Sequence, residues 1–243
     1  MSFGDVRIDA LRLRELRIPF KTAFRHASAV RAETSSVWVE ALANGEVVGQ
    51  GEACPRPYVT QETIESANVF VRDYGESICR SVGDLESLRR WMDEHLEAVD
   101  ANPAAWCAVE LACLDALGRR TGQTIEAVLG LPPLTGVFSY TAVVGDDEPE
   151  AFHALVQRYG RVGFLDFKVK LSGDIERDRQ KLSAFAPLRA EGVRVRADAN
   201  NVWGSAAQAA DALSRLGFDW FAVEEPIQAN QYDELSALAQ YLA

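Results

Sequence analysis

The 243-residue sequence is short of several things that would define a function class at once: four cysteines, three histidines, fewer cations than anions, and no long apolar run. Cys54, Cys79, Cys107 and Cys113 follow neither C-x-x-C metal spacing nor the dense pattern of a disulfide framework, so all four are expected to be reduced. Cys107 and Cys113 fall in an apolar helical run, where a thiol packs as a small hydrophobe. Cys54, in the proline-marked loop Gly51-Glu52-Ala53-Cys54-Pro55-Arg56-Pro57, is the one placed to border a site. The 25 Lys plus Arg against 36 Asp plus Glu leave a formal charge of -11, which argues against nucleic acid as a partner, since phosphate affinity comes from cationic side chains. The longest uncharged stretch, Ala127 to Gly145, is broken by Pro132, Pro133 and three glycines and cannot serve as a membrane span. Charges at Asp5 and Arg7 sit where a signal peptide would be apolar, so a cytoplasmic address and no membrane partner are expected. What is present, 48% hydrophobic and 25% charged residues, is the mixture of a chain that buries a core.

The first half reads as strands followed by helices. Val6–Pro19 and Ser35–Ala43 alternate or run β-branched, and Asn44-Gly45 marks a hairpin turn into Val47–Glu52. Gln61–Tyr74 and Asp84–Val99 carry apolar residues at helical spacing, and Asn102-Pro103 opens a third helix through Trp106, Val109, Cys113 and Leu117. This order predicts an α+β domain over residues 1–133, closed by Gly130-Leu131-Pro132-Pro133.

Beyond that point strands and helices alternate, over residues 134–243. Strands are predicted at Phe138–Val144, Phe164–Leu171, Val193–Ala199 and Trp220–Glu225, with helices at Glu148–Tyr159, Ile175–Ala190 and Ser205–Leu216. One β/α unit about every 28 residues implies an α/β architecture with a parallel sheet, either open and doubly wound or part of a (β/α)₈ barrel.

Side chains alternate across a strand, so Lys168 and Lys170 share one face while Phe167, Val169 and Leu171 share the other. Arg194, Arg196, Asp198 and Asn200 do likewise, and the fourth strand ends in Glu224-Glu225-Pro226. If the strands are neighbours, Lys168, Lys170, Asp198 and Glu224 converge at the C-terminal rim of the sheet, where an ordinary ion-pair cluster is the plain alternative to a site. Carboxylates with an amide nearby suit a hard ion, Mg²⁺ or else Mn²⁺, and a neighbouring ammonium would lower the pKa of Lys170 toward that of a base.

Lys168-Val169-Lys170, Asp198-Ala199-Asn200 and Val223-Glu224-Glu225-Pro226, in that order and one unit apart, resemble the strand ends of the enolase superfamily. The resemblance is to its mandelate racemase and muconate lactonizing enzyme family, and the K-x-K form is similar to the muconate lactonizing enzyme-like subgroup. Gly49-Gln50-Gly51-Glu52-Ala53 resembles part of that family's capping domain. The resemblance implies an α+β capping domain followed by a partial (β/α) barrel. It implies an isomerase or carbon–oxygen lyase in which Lys170 removes the proton α to the carboxylate of a small molecule, with an enediolate intermediate. Lys168 would be its electrostatic partner, Asp198 and Glu224 the Mg²⁺ ligands, and Asn200 a support for Asp198, while Glu225 matches no ligand position. Arg25 and His26, in a loop that would close over the barrel mouth, would touch the variable part of the substrate.

The same resemblance implies a third carboxylate and a second lysine on later strands, and neither occurs before Ala243. About half a barrel is therefore expected, from a fragment inactive by itself and prone to form a homo-oligomer through open sheet edges. The alternative is a catalytically inactive half-barrel that serves only as an assembly module.

Overall fold

A computed structural model describes residues 7–26 and 29–242, with side chains described outside 22–31 and up to 241. The chain divides into two compact units, the first ending at Gly136 and the second running from Val137, with segment 24–31 grouped apart from the first.

Apart from segment 24–31, the first unit carries a sheet of order β1-β2-β3, from β1 (Ala10–His26), β2 (Ala29–Ala43) and β3 (Glu46–Ala53). β2 and β3 are antiparallel, and the turn between them places Asn44 at φ 52° and Gly45 at φ 81°, the left-handed pair an Asn-Gly hairpin requires. Among the described residues five helices follow: α1 (Ile64–Ser81), α2 (Leu85–Glu94), α3 (Leu96–Ala101), α4 (Pro103–Thr121) and α5 (Ile125–Leu129). The single helix expected over Asp84–Val99 is interrupted at His95, whose backbone is non-helical and whose ring stacks on Trp91 at 4.2 Å. Trp91 stacks in turn on Trp106 at 5.1 Å, in a core shared by α1, α2 and α4. Cys113 is buried as expected, but Cys107 is exposed. It lies outside the helical stripe of Trp106, Val109 and Cys113 that faces the core, so periodicity overrides its apolar character. None of the four cysteines forms a disulfide.

Two features of this unit are open to direct measurement. The side chain of Asn102 does not cap α4; instead the buried carboxylate of Glu62 accepts hydrogen bonds from Ala104 N at 2.8 Å and Ala105 N at 2.9 Å. A carboxylate on unpaired N–H groups at the positive end of a helix is a charge-assisted cap. Glu62→Ala should therefore cost about 2–3 kcal/mol in urea unfolding, and a change within error would deny the cap this role. In the sheet, Arg12 and Arg14 both donate to Glu40 Oε2, at 2.6 and 3.0 Å. The Arg12 hydrogen bond, against burial and with Arg14 assisting, holds the Glu40 carboxyl below its ordinary range. A carboxyl depressed on folding adds stability above its unfolded pKa and loses it as pH falls through the folded value. Glu40→Gln should thus flatten the acid limb of stability below about pH 4.5; an unchanged limb would count against the pairing.

The second unit holds a parallel sheet of order β4-β5-β6-β7: β4 (Thr141–Val144), β5 (Asp166–Lys170), β6 (Arg194–Asp198) and β7 (Ala222–Glu224). Each strand lies beside its predecessor with no reversal of order, the arrangement of a (β/α) barrel rather than a doubly wound sheet, and four strands make a partial one. Between and after the strands come α6 (Pro149–Val162), α7 (Ile175–Leu182), α8 (Ala206–Leu216) and α9 (Tyr232–Leu242). Phe152, Phe167, Val169, Phe185 and Val195 fill the layer between helices and sheet. The helix expected to run to Ala190 stops as α7 at Leu182 and continues as a 3₁₀ segment, Ser183–Glu191. Pro187 inside it has no N–H to donate and its ring crowds the preceding turn. The strand expected from Phe138 begins at Thr141. No described helix is long and apolar enough to cross a membrane.

Candidate active site

Pairing register assembles the site. Lys170 on β5 pairs with Asp198 on β6, which pairs with Glu224 on β7, so the three residues form one row across the C-terminal end of the sheet. Two residues earlier on the same face stands Lys168. Burial of Phe167 and Val169 against the helices obliges the lysines to face the other way.

Asp198 is 2% exposed and carries three partners. Its Oδ2 accepts from Lys168 Nζ and Lys170 Nζ, both at 3.0 Å, and its Oδ1 accepts from Asn200 Nδ2. Lys168 also donates to Glu224 Oε1 at 2.7 Å, so one ammonium bridges the two carboxylates. Asn200 accepts from Lys170 Nζ through Oδ1 at 3.0 Å. Lys168, Lys170, Asp198, Glu224 and Asn200 are thus one hydrogen-bonded cluster. The side chains of Arg25 and His26 lie outside the described residues.

The electrostatics follow from this crowding. Burial works to raise the Asp198 carboxyl, and the Lys170 and Lys168 ammonium groups outweigh it, leaving Asp198 below its ordinary range. Burial works to lower Lys168, and hydrogen bonds to Glu224 and Asp198 outweigh it, so Lys168 stays cationic above the ordinary lysine value.

The chain leaves the strands through unusual backbone. Asn200, Asn201 and Glu225 adopt φ of 47°, 60° and 47°, a left-handed conformation that asparagine tolerates and glutamate rarely takes. The turn at Glu225 brings its carboxylate to 3.2 Å from Asn200 Nδ2, giving it a place at the edge of the cluster.

The donor chemistry fits a hard divalent cation: Asp198 and Glu224 offer carboxylate oxygens close enough to be bridged by the single charge of Lys168. The number of donors is small, because no group of three or more His, Cys, Asp or Glu able to hold a metal occurs among the described residues. Asp198 and Glu224 can supply two positions of an octahedral ion, with waters and substrate oxygens needed for the rest.

Three further residues behind the lysines escape a reading of strand ends: Asp146, Asp178 and Lys181. Asp178 and Lys181 stand three apart on the buried face of α7, where apolar residues belong. Charges on that stripe are the signal in the sequence that marks them.

Residues 151–243 match the family model described as enolase C-terminal domain-like. The N-succinyl-L-Arg/Lys racemase of Bacillus cereus is 24% identical over 236 residues, covering 95% of this chain and 62% of the relative. The L-Lys-D/L-Arg epimerase of Methylococcus capsulatus is 28% identical over 245 residues, covering 98% and 65%. The crystal structure of a dipeptide epimerase from Methylococcus capsulatus, complexed with Mg and the dipeptide L-Arg-D-Lys, matches with a TM-score of 0.78 at 27% identity, covering 96% of this chain and 65% of that one. The chain spans less than two thirds of the length of each of these relatives.

Proposed function

We propose that the chain, whose residues 151–243 match the enolase C-terminal domain-like model and which is similar to racemases and epimerases along its length, belongs to the enolase superfamily, in its mandelate racemase and muconate lactonizing enzyme family, and contributes the base-bearing half of a Mg²⁺-dependent site that takes the proton α to a substrate carboxylate. The observation that carries this reading is the row Lys170, Asp198, Glu224 across three adjacent strands. Lys170 Nζ, buried beside Asp198 and Asn200, is the atom that removes the proton, once it has released its own. Lys168, held cationic by two carboxylates, supplies fixed positive charge next to the site of proton transfer. Asn200 orients both Lys170 and Asp198, so base and metal-binding groups keep one spacing. Asp198 and Glu224 would hold the ion, which when bound offsets negative charge developing on the substrate carboxylate.

The racemase and epimerase relatives support N-acylated amino acids and dipeptides as the substrate class. Inversion needs proton donors on both faces of the α-carbon and is not expected of this half site by itself, whereas its one lysine base suffices to exchange the proton on one face. The test is therefore exchange of the α-proton with D₂O, followed by proton NMR over a panel of N-acyl amino acids and dipeptides with and without Mg²⁺. Mg²⁺-dependent loss of an α-proton signal is expected, and its absence across the panel would sink the proposal. Asp198→Asn should weaken binding of Mn²⁺, used as an EPR-visible probe, by about tenfold or more.

One observation favours a second reading, association through the sheet edges. Val137, Phe138 and Tyr140, just before edge strand β4, are exposed, as is Phe221 before β7 at the other edge. A sedimentation mass of a single chain at micromolar concentration would rule it out.

A further inference from the structure

Only four of the 25 basic residues are lysines, and three of these, Lys168, Lys170 and Lys181, lie at or behind the same strand end. Lys181 is the most enclosed of the three, with its side chain 1% exposed. Its Nζ reaches Asp146 Oδ1 at 2.7 Å, in the loop after β4, and Asp178 Oδ1 at 2.8 Å, one turn back on α7. It also donates to the backbone oxygen of Lys170 at 3.1 Å. Asp178, equally buried, accepts from Ser172 N, Ser172 Oγ and Gly173 N in the loop that follows β5. Gly173 takes φ 86° to make that turn.

A buried ammonium needs enough acceptors to replace water, and here the acceptors are two carboxylates and one carbonyl. The choice of carbonyl is informative. It belongs to Lys170, whose next amide, Leu171 N, donates to Asp198 O at 3.0 Å. The peptide after Lys170 is therefore held on one side by Lys181 and on the other by the strand that carries Asp198. With that peptide fixed, so is the direction in which the Lys170 side chain leaves the strand.

We infer that Lys181, seated between Asp146 and Asp178, is a positioning residue for Lys170: it clamps the Lys170 carbonyl and sets the reach of its ammonium toward Asp198 and Asn200. The inference rests on the proposed role of Lys170 and adds to it a dependence on residues that touch neither substrate nor metal. Small displacements of a reacting group carry large rate effects, about a hundredfold for 1 Å.

The experiment uses the whole chain labelled with ¹³C,¹⁵N-lysine, whose four side-chain signals are assigned by single Lys→Arg changes. Lys181→Met removes the clamp at constant length, and Asp146→Asn loosens it from its more exposed end. Both should shift the Lys170 ε-CH₂ signal. Both should also lower the maximal α-proton exchange rate, Lys181→Met by about tenfold to a hundredfold and Asp146→Asn by less, at unchanged KM. An unmoved Lys170 signal in a folded variant overturns the inference, as does a rate loss that appears wholly in KM. Should Lys181→Met fail to fold, Asp146→Asn decides by the same criteria. A wild-type chain that exchanges no α-proton removes the proposed function, and the lysine signals then decide the clamp on their own.

Discussion

Lys170→Met is expected to lower α-proton exchange by about a hundredfold to ten-thousandfold, the usual contribution of a positioned general base. The change removes one of two ammonium groups on Asp198 Oδ2 and leaves Lys168 on the same oxygen, so Asp198 does not become a buried, unpaired charge. Folding should survive, and circular dichroism with a thermal scan checks it. Lys168→Met gives the contrast. It takes away the bridge between Asp198 and Glu224 but leaves Lys170 in place, so exchange should be slowed and not abolished. Equal rates in wild type and Lys170→Met would remove Lys170 from the chemistry, whatever the role of the cluster in stability.

The largest expected effect on stability lies in the first unit, at Gly51. A Cβ built there would stand 2.1 Å from Ala108 O and 2.7 Å from Ala112 N, both backbone atoms of α4. Gly49 meets the next turn in the same way, at 2.2 Å from Ala112 O and 2.6 Å from Ala116 N. Strand and helix touch backbone to backbone, with alanines at 108, 112 and 116 completing the close approach. No side chain can turn aside to make room, so Gly51→Ala should cost about 3 kcal/mol or more, the upper end for overpacking. Gly83→Ala, where a Cβ meets nothing within 4 Å, should change stability by no more than about 0.5 kcal/mol. Urea unfolding of the two variants beside wild type measures the difference, and equal midpoints would refute the close contact.

Much of this was legible in the sequence because the physics behind it is local. Period-two alternation in Phe167-Lys168-Val169-Lys170 places the lysines opposite the apolar residues without knowledge of any other strand. The even recurrence of β/α units suggests a parallel sheet, and only pairing across strands could show that Lys170, Asp198 and Glu224 share a row. What stayed hidden depends on neighbours distant in sequence. The cap on α4 comes from Glu62, 42 residues before Ala104, and nothing near Asn102 announces it. Asp178 and Lys181 stand out on the buried stripe of α7, but the partners that explain them, Asp146 and the Lys170 carbonyl, come from elements distant in sequence. The close approach of β3 to α4 turns two strand glycines, which weaken a strand by propensity, into the residues that permit the packing. Helix α9 escaped because Tyr232–Leu242 follows the last strand motif without a preceding Pro or a closing Gly to mark it.

The row Lys170, Asp198, Glu224 draws one residue from each of three successive β/α units. In such a layout the chemistry is divided into parcels that coincide with the folding modules. Recombination at the turns leading into β5, β6 or β7 would exchange a single functional group while the backbone pairing of its neighbours was kept. A library assembled from whole units of related chains should therefore yield sites that differ by one group at a time, and a lineage could alter its reaction by inheriting one module and retaining the others.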